Sequence, residues 1–448
     1  MASATEQLAT QFNWSAFGKA KDLKARIMFT LGALIVYRIG THIPLPGVDA
    51  RILADVFQNS SKGIMGMFDM FSGGALQRMA IFALNIMPYI SASIIVQLMA
   101  AVVPTFEQLK KEGEIGKKKL AQYTRYLTVL LATIQGYGMA VGLEAMTGSS
   151  GSAVIDPGMF FRLTTVVTLV GGTVFLMWLG EQITARGIGN GTSLIIFAGI
   201  VASLPRAVAQ LFELGKTGAI STVLIFAIMA LAVGVIMFIV FIERAQRRIP
   251  VQYPKRQVGM KVMGGENTHL PLKLNTPGVI PPIFASSLLL LPLTLIGFAG
   301  NQATGFMAEV ARVLQHGQPM YMITYGALIV FFTFFYTALV FNPAETAENL
   351  RKAGGFVPGM RPGKNTADYL DFVLTRISVL GAAYMVFICL LPEFLVAKYS
   401  IPFYFGGTSL LIAVSVTMDT VAQIHSYMIA HQYEGLLRKS RLRGEKKK

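Results

Sequence analysis

One cysteine, two tryptophans and five histidines are spread over 448 residues, and 23 acidic side chains stand against 39 Lys and Arg. A single thiol, Cys389, cannot form an intramolecular disulfide, and within an apolar stretch it reads as a small packing residue. There is no His-Glu-x-x-His, no paired Asp inside an apolar stretch and no Ser/His arrangement on facing stretches. Catalysis therefore has no candidate acid, base or metal cluster, and no cofactor or metal is implied. Carboxylates and imidazoles are also scarce in the middle of the apolar stretches. Arg38, Arg78, Glu181, Arg376 and Asp419 lie near predicted ends, where snorkelling accounts for them. An ion-coupled transporter would bury such groups near the bilayer midplane, and their scarcity counts against that class.

What the chain has in excess is hydrophobicity. It is 53% apolar and 14% charged, with a mean hydropathy of +0.56, too apolar for a water-soluble core of this size. Apolar stretches run near Ile27 to Ile43, Met79 to Val103, Tyr126 to Leu143, Leu163 to Leu179 and Gly187 to Leu204. They continue near Ala219 to Ile242, Val279 to Ala299, Met320 to Phe341, Phe372 to Pro392 and Tyr404 to Ala430. A helix needs ~20 apolar residues to cross hydrocarbon, and barrel strands would be half as long and alternating, so these ten are predicted transmembrane helices.

The net charge of +16 could suggest nucleic acid, but it is segregated into alternate connections. Basic residues cluster before the first span, after the second, sixth and eighth, and in the tail; Glu144 to Phe161 has no Lys or Arg. Positive charge sorted in this way sets orientation during insertion and places both termini in the cytoplasm. No small-residue cleavage site follows the first span, which reads as a permanent anchor.

The expected organisation is a cytoplasmic segment 1–26, an N-terminal half 27–205, an external hinge connection 206–218, a C-terminal half 219–430 with cytoplasmic loops 243–277 and 342–371, and a basic tail 431–448. Five crossings per half mean that any repeat is inverted, with a path between the halves. Within the Pro44 to Gln77 connection, Ile64 to Phe71 is apolar yet too short to cross. It either re-enters the membrane, which requires a cavity to receive it, or lies on the outer face as an interfacial segment. Pro and Gly interrupt several spans, as at Pro88, Gly171-Gly172, Gly187 to Gly191, Pro281-Pro282 and Gly406-Gly407, which suits close helix contacts and hinges. The Gly187 to Gly191 run lacks the preceding strand and the Lys-Ser/Thr ending of a phosphate loop. A ring of Ile side chains at a narrow point would exclude water and ions by dewetting while deforming around a passing chain.

Several stretches resemble the signature segments of the SecY family. They are Ile86-Met87-Pro88-Tyr89-Ile90-Ser91-Ala92-Ser93-Ile94, Gly180 to Thr184 with Arg186 to Gly191, Thr268 to Lys273, Phe341-Asn342-Pro343, Phe356 to Gly359 with Arg361-Pro362-Gly363, and Pro402 to Leu411. The likeness covers nearly the whole chain. It implies an all-α polytopic membrane protein with ten transmembrane helices in two inverted five-helix halves around a central pore, closed by a short re-entrant plug at about 64–76. It also implies a protein-conducting channel of the bacterial cytoplasmic membrane, not an enzyme, that passes unfolded preproteins and releases hydrophobic segments sideways into lipid.

By the same resemblance the pore ring is Ile86, Ile90, Thr192, Ile196, Ile283 and Ile412, with Thr192 departing from the usual Ile. The plug is carried by Met65, Met67, Phe68, Met70, Phe71, Ser72, Gly73 and Gly74, and the lateral gate by Ser91, Gln97, Gln135 and Asn275. Arg361, Lys255, Arg256, Lys261, Arg351 and Lys352 would dock the SecA ATPase or the polyanionic ribosome. The further partners implied are SecE and SecG, signal peptides and nascent chains, membrane lipid and an insertase such as YidC. A secondary transporter with broken helices is the competing class, and intramembrane ionisable residues discriminate the two.

Overall fold

The computed structural model describes residues 21–49, 52–53, 69, 72–145, 147–148, 151–217, 221–253, 256–258, 261–263, 267–298, 318–399 and 407–445. Among them ten long helices stand where the ten spans are predicted: α1 (Lys21–Gly40), α2 (Met87–Val102), α4 (Glu114–Ala145), α5 (Met159–Arg186), α6 (Gly191–Lys216), α7 (Thr222–Arg244), α8 (Ile280–Phe298), α9 (Pro319–Val340), α11 (Lys364–Tyr399) and α12 (Gly407–Glu445). Two short helices, α3 (Pro104–Lys111) and α10 (Pro343–Lys352), lie in connections. By length and composition six helical runs each suffice to cross a membrane, and α2 with α3 forms a further candidate bent by 97°. Apolar side chains left exposed on α1 (Met28, Leu31, Ile35, Ile39) and α7 (Val223, Phe226, Met237, Phe241) fit contact with lipid and not with water.

The second span differs most from its prediction. Its helix begins at Met87 and not at Met79, because Pro88 occupies the first turn, where a missing N–H costs nothing. The residues before it form turns, with Met79 at φ +42° and Asn85 at φ +49°, and both are buried. Their backbone is satisfied by the chain leaving α1: Leu45 N–H donates to Met79 O (2.8 Å) and Ile81 N–H to Ile43 O (3.0 Å). Phe82 wedges this segment between α1 and α5, stacked on Tyr37 and Phe175.

Other helices outrun their spans. α4 starts at Glu114 and not at Tyr126, and α6 continues past Leu204 to Lys216, so most of the connection expected at 206–218 is helical. The 243–277 connection is not a plain loop. It forms an antiparallel hairpin of β3 (Gln246–Gln252) and β6 (Asn267–Lys273), with Ile249 opposite Leu270. Shorter ribbons pair β1 (Thr147–Gly148) with β2 (Gly151–Ser152) and β4 (Arg256–Val258) with β5 (Lys261–Met263).

The five helices through α6 and the five from α7 meet along two seams. On one, α8 touches α2 and α4; on the other, α6 touches α12 and α7. The Gly187 to Gly191 run ties the second seam together. Ile188 N–H donates to Thr30 Oγ1 of α1 (3.0 Å), Gly189 N–H to Gln423 Oε1 of α12 (2.8 Å) and Gly191 N–H to Thr184 Oγ1 of α5 (2.9 Å). Asn190 then caps α6 by accepting from Thr192 N–H and Ser193 N–H. Gly191 has no room for a side chain, since a Cβ would run into Gly180 O.

Gly172 of α5 is a similar close contact: a Cβ there would meet Ile81 O, whereas nothing lies within 4 Å of one at Gly171. Gly172→Ala is expected to cost about 1–3 kcal/mol by overpacking. It should lower the thermal midpoint of the detergent-solubilised protein in fluorescence-detected size exclusion, with Gly171→Ala leaving the midpoint unchanged or slightly raised.

Candidate functional site

Five isoleucines from four helices lie in one continuous buried apolar cluster. Ile86 precedes the first turn of α2 and Ile90 follows it, Ile90 N–H donating to Ile86 O at 3.1 Å. Ile196 is in the second turn of α6, Ile283 in the first of α8 and Ile412 in the second of α12. All five are at most 7% exposed. Three come from the first five helices and two from the last five. Thr192, the one polar member of the expected ring, is half-buried in the first turn of α6.

The expected plug is described at Ser72, Gly73 and Gly74; Met65, Met67, Phe68, Met70 and Phe71 lie outside the described residues. The described end is held closely. Tyr37 Oη donates to Ser72 O (3.3 Å), and the guanidiniums of Arg38 and Arg78 both donate to Gly73 O, at 3.0 and 3.2 Å. Asp69 Oδ1 accepts from Gln77 N–H at 2.7 Å, and Ser72 Oγ donates to Asp69 O while accepting from Leu76 N–H. Gly73 (φ +65°) and Gly74 (φ +83°) take a left-handed backbone that favours glycine. A Cβ on Gly73 would also lie 3.0 Å from Gly199 Cα, so the turn rests directly on α6. Sequence reasoning treated Arg38 and Arg78 as snorkelling residues and passed over Tyr37. A guanidinium adjoining an apolar stretch was the available signal for the two arginines.

Of the four expected gate residues, Ser91 and Gln135 are buried on α2 and α4, and Gln97 on α2 donates to Ser93 Oγ at 3.1 Å. Asn275 lies on the stretch leading into α8. It is 2% exposed, and its Nδ2 donates to Glu243 Oε1 of α7 (2.6 Å) and to Gly278 O (3.2 Å), both in its own half of the chain. Glu243 carried no signal in the sequence beyond its place at the end of a span. The connection between α4 and α5 has a braced corner of its own, where Glu144 Oε2 pairs with Arg162 (2.6 Å) and Glu144 Oε1 accepts from Gly158 N–H.

The 243–277 and 342–371 connections form one body. Gln252 N–H donates to Phe356 O and Phe356 N–H to Gln252 O, joining β3 to the 342–371 connection. Ile249 and Leu272 of the hairpin share a buried apolar cluster with Ala347, Val357, Leu370 and Ile377. Arg361 projects from a turn between Gly359 (φ +82°) and Gly363 (φ +109°), exposed, with its carbonyl accepting from Thr366 Oγ1. Arg351 pairs with Glu348 at 2.8 Å and Lys352 is exposed. Arg256 and Lys261 lie on the β4/β5 ribbon, and Lys255 is outside the described residues.

With this geometry in place, comparison with known proteins is informative. The SecY family model matches residues 80–421. A "Protein translocase subunit SecY" of Rickettsia conorii is 56% identical over 422 residues, covering 94% of this chain and 97% of the relative. Its counterpart in Escherichia coli K12 is 54% identical over 431 residues, covering 96% and 97%. Among solved structures, one described as "The structure of a protein conducting channel" aligns with a TM-score of 0.66 at 17% identity, covering 91% of this chain and 93% of that one. "Sec61 in the Canine ribosome-channel complex from the endoplasmic reticulum" aligns with a TM-score of 0.61 at 16% identity, covering 91% and 93%. The structural likeness establishes a shared fold.

Removing both donors to Gly73 O should loosen this turn measurably. In Arg38→Ala/Arg78→Ala, hydrogen exchange at the amides of residues 72–80 is expected to rise about tenfold or more, since hydrogen bonds from charged donors contribute ~1.5–3 kcal/mol. Exchange in the interior of α4 should stay at the wild-type rate.

Proposed function

This chain belongs to the SecY family, and from that premise we propose that it is the central channel subunit of a bacterial protein translocase, passing unfolded preproteins across the cytoplasmic membrane and hydrophobic segments sideways into the bilayer. What supports the mechanism is the burial of Ile86, Ile90, Ile196, Ile283 and Ile412, contributed by both halves, within the protein's main apolar core. An apolar constriction holds no water-ordering groups, so water and ions are excluded while it is narrow. The same lack of polar groups gives a passing chain nothing specific to bind, so segments of any sequence traverse it without becoming trapped.

The plug, anchored through Ser72 and Gly73, closes the outer side in the resting state, and its residues Met65 to Phe71 are displaced when a chain passes. The seam where α8 meets α2 and α4 is the lateral gate, lined by Ser91, Gln97 and Gln135. Both termini are cytoplasmic, which puts the fused body of the 243–277 and 342–371 connections on the side where SecA or the ribosome docks. Arg361, Arg351, Lys352, Lys255, Arg256 and Lys261 supply positive charge to that surface. SecE and SecG complete the membrane complex, with YidC as a further lateral partner. The chain hydrolyses nothing itself. Energy comes from SecA's ATP cycle, from translation or from the membrane potential.

The test is transport of a radiolabelled preprotein into proteoliposomes holding this chain with SecE and SecG, driven by SecA and ATP. The wild type is expected to protect the preprotein from protease, and Arg361→Glu to lose protection while the complex still assembles. Protection in both would keep the channel and remove Arg361 from the docking surface; no protection with active SecA and an assembled wild-type complex would overturn the channel reading. In the same vesicles Thr192→Ile should lower the resting ion leak, because one half-buried hydroxyl of the expected ring is replaced by an apolar side chain.

A further inference from the structure

The stretch joining the cytoplasmic body to α8 is held by both backbone and side-chain bonds. β6 ends at Lys273, Leu274 N–H donates to Ala245 O at 3.0 Å, and the chain turns into α8 through Gly278 at φ +64°. Between them Asn275 is buried, with its amide on Glu243 Oε1 at 2.6 Å. Glu243 lies in the last turn of α7 and is only partly exposed. A carboxylate there faces the negative end of the helix dipole and has given up part of its water, so it is unfavourable unless a donor is held in front of it. Asn275 is that donor. On the far side α11 closes in, since a Cβ at Gly381 would lie 2.8 Å from Leu274 O. The charged neighbours, Lys273 and Asp419, are 3.9 Å apart and both well exposed, so their mutual attraction is screened and weak. The cytoplasmic body, α7 and α8 therefore meet where the Leu274–Ala245 backbone bond and the sheltered Glu243–Asn275 side-chain bond lie together, with Ser415 of α12 also beside the Glu243 carboxylate.

We propose that the Glu243–Asn275 hydrogen bond is the joint that holds α8 against α2 and α4 in the resting channel, making both side chains positioning residues for the lateral gate. A partner docked on the β3/β6 body turns α8 about this point, and breaking the bond lets α8 move without a partner. The inference rests on the channel reading above and adds to it which residues restrain the gate helix. In the family resemblance Asn275 contributes to the gate itself; its bond to Glu243 adds a partner at the root of the gate helix.

The experiment measures iodide efflux from proteoliposomes holding the complex with SecE and SecG, without SecA, together with SecA-driven preprotein protection in the same vesicles. Glu243→Leu and Asn275→Leu are each expected to raise resting efflux about tenfold, a shift of about 1.4 kcal/mol toward the open gate. The double variant should leak no more than the leakier single one, because the two substitutions remove one shared bond. Glu243→Gln keeps an acceptor oxygen in place and is expected to stay within about threefold of wild type. Wild-type efflux in correctly assembled Leu variants would overturn the joint, as would multiplying single effects or a Gln variant as leaky as Leu. If the wild type itself fails to protect preprotein with active SecA, the channel reading falls and the joint with it; a transporting wild type with unchanged variants overturns the joint alone.

Discussion

Backbone that leaves helical geometry away from water must find its hydrogen-bond partners within the protein, and residues 72–86 are where this chain meets that demand most severely. Both Met79 and Asn85 adopt positive φ while buried, and the carbonyl of Gly73 faces inward. The answer is local and specific. Two guanidiniums meet on Gly73 O, Tyr37 reaches Ser72 O, and the strap after α1 supplies paired backbone to Met79 and Ile81. Because this segment is satisfied without being helical, α2 begins deep in the molecule. Ile86 and Ile90 consequently sit at a helix beginning in the interior, within the same apolar core as Ile196, Ile283 and Ile412.

The second demand is to hold two sets of five helices in register without welding them. The structure divides this between the seams. Around Gly187 to Gly191 three backbone N–H groups reach side chains on α1, α5 and α12, and close backbone approach to α5 excludes any side chain at Gly191. Across the other seam, where α8 faces α2 and α4, the expected polar residues bond locally: Gln97 to Ser93 on its own helix, and Asn275 to Glu243 in its own half. One seam is thus crossed by a directional bond, Gly189 N–H to Gln423 Oε1, braced on its own side by the bonds to α1 and α5, and the other is held mainly by apolar contact.

Much of this was legible in the sequence, for reasons that can be stated residue by residue. All ten long helices were visible because crossing hydrocarbon demands length and apolarity that few other structures share. The starts of α2 and α4 were not. Pro88 reads equally as a kink within a span or as a first-turn residue, and only the irregular segment before it decides. The β3/β6 hairpin was hidden because Arg247 and Arg248 were read as orientation charge, although Ile249 and Val251 alternate with polar neighbours and are both buried. The isoleucine cluster was legible through the family likeness and not through pattern, since an Ile that lines a constriction and one that faces lipid look alike in sequence. Arg38 and Arg78 lay in plain view, but a charge near a span end has a cheaper explanation than a pair of donors converging on one carbonyl.

The fusion of the two cytoplasmic connections through the Gln252–Phe356 pairing and the cluster around Ile249, Leu272, Val357 and Leu370 has a genetic consequence. Segments about a hundred residues apart in the chain share a small hydrophobic core, so they form one heritable unit with two addresses. A lesion that tilts the hairpin is compensated most directly by a volume change on the opposite side of that core, in the other connection. Suppressors of defects in one therefore accumulate in the other. Arg361 and its exposed neighbours on the turn between Gly359 and Gly363 stand outside that core, so a substitution there changes the contact surface and leaves the body beneath it in shape.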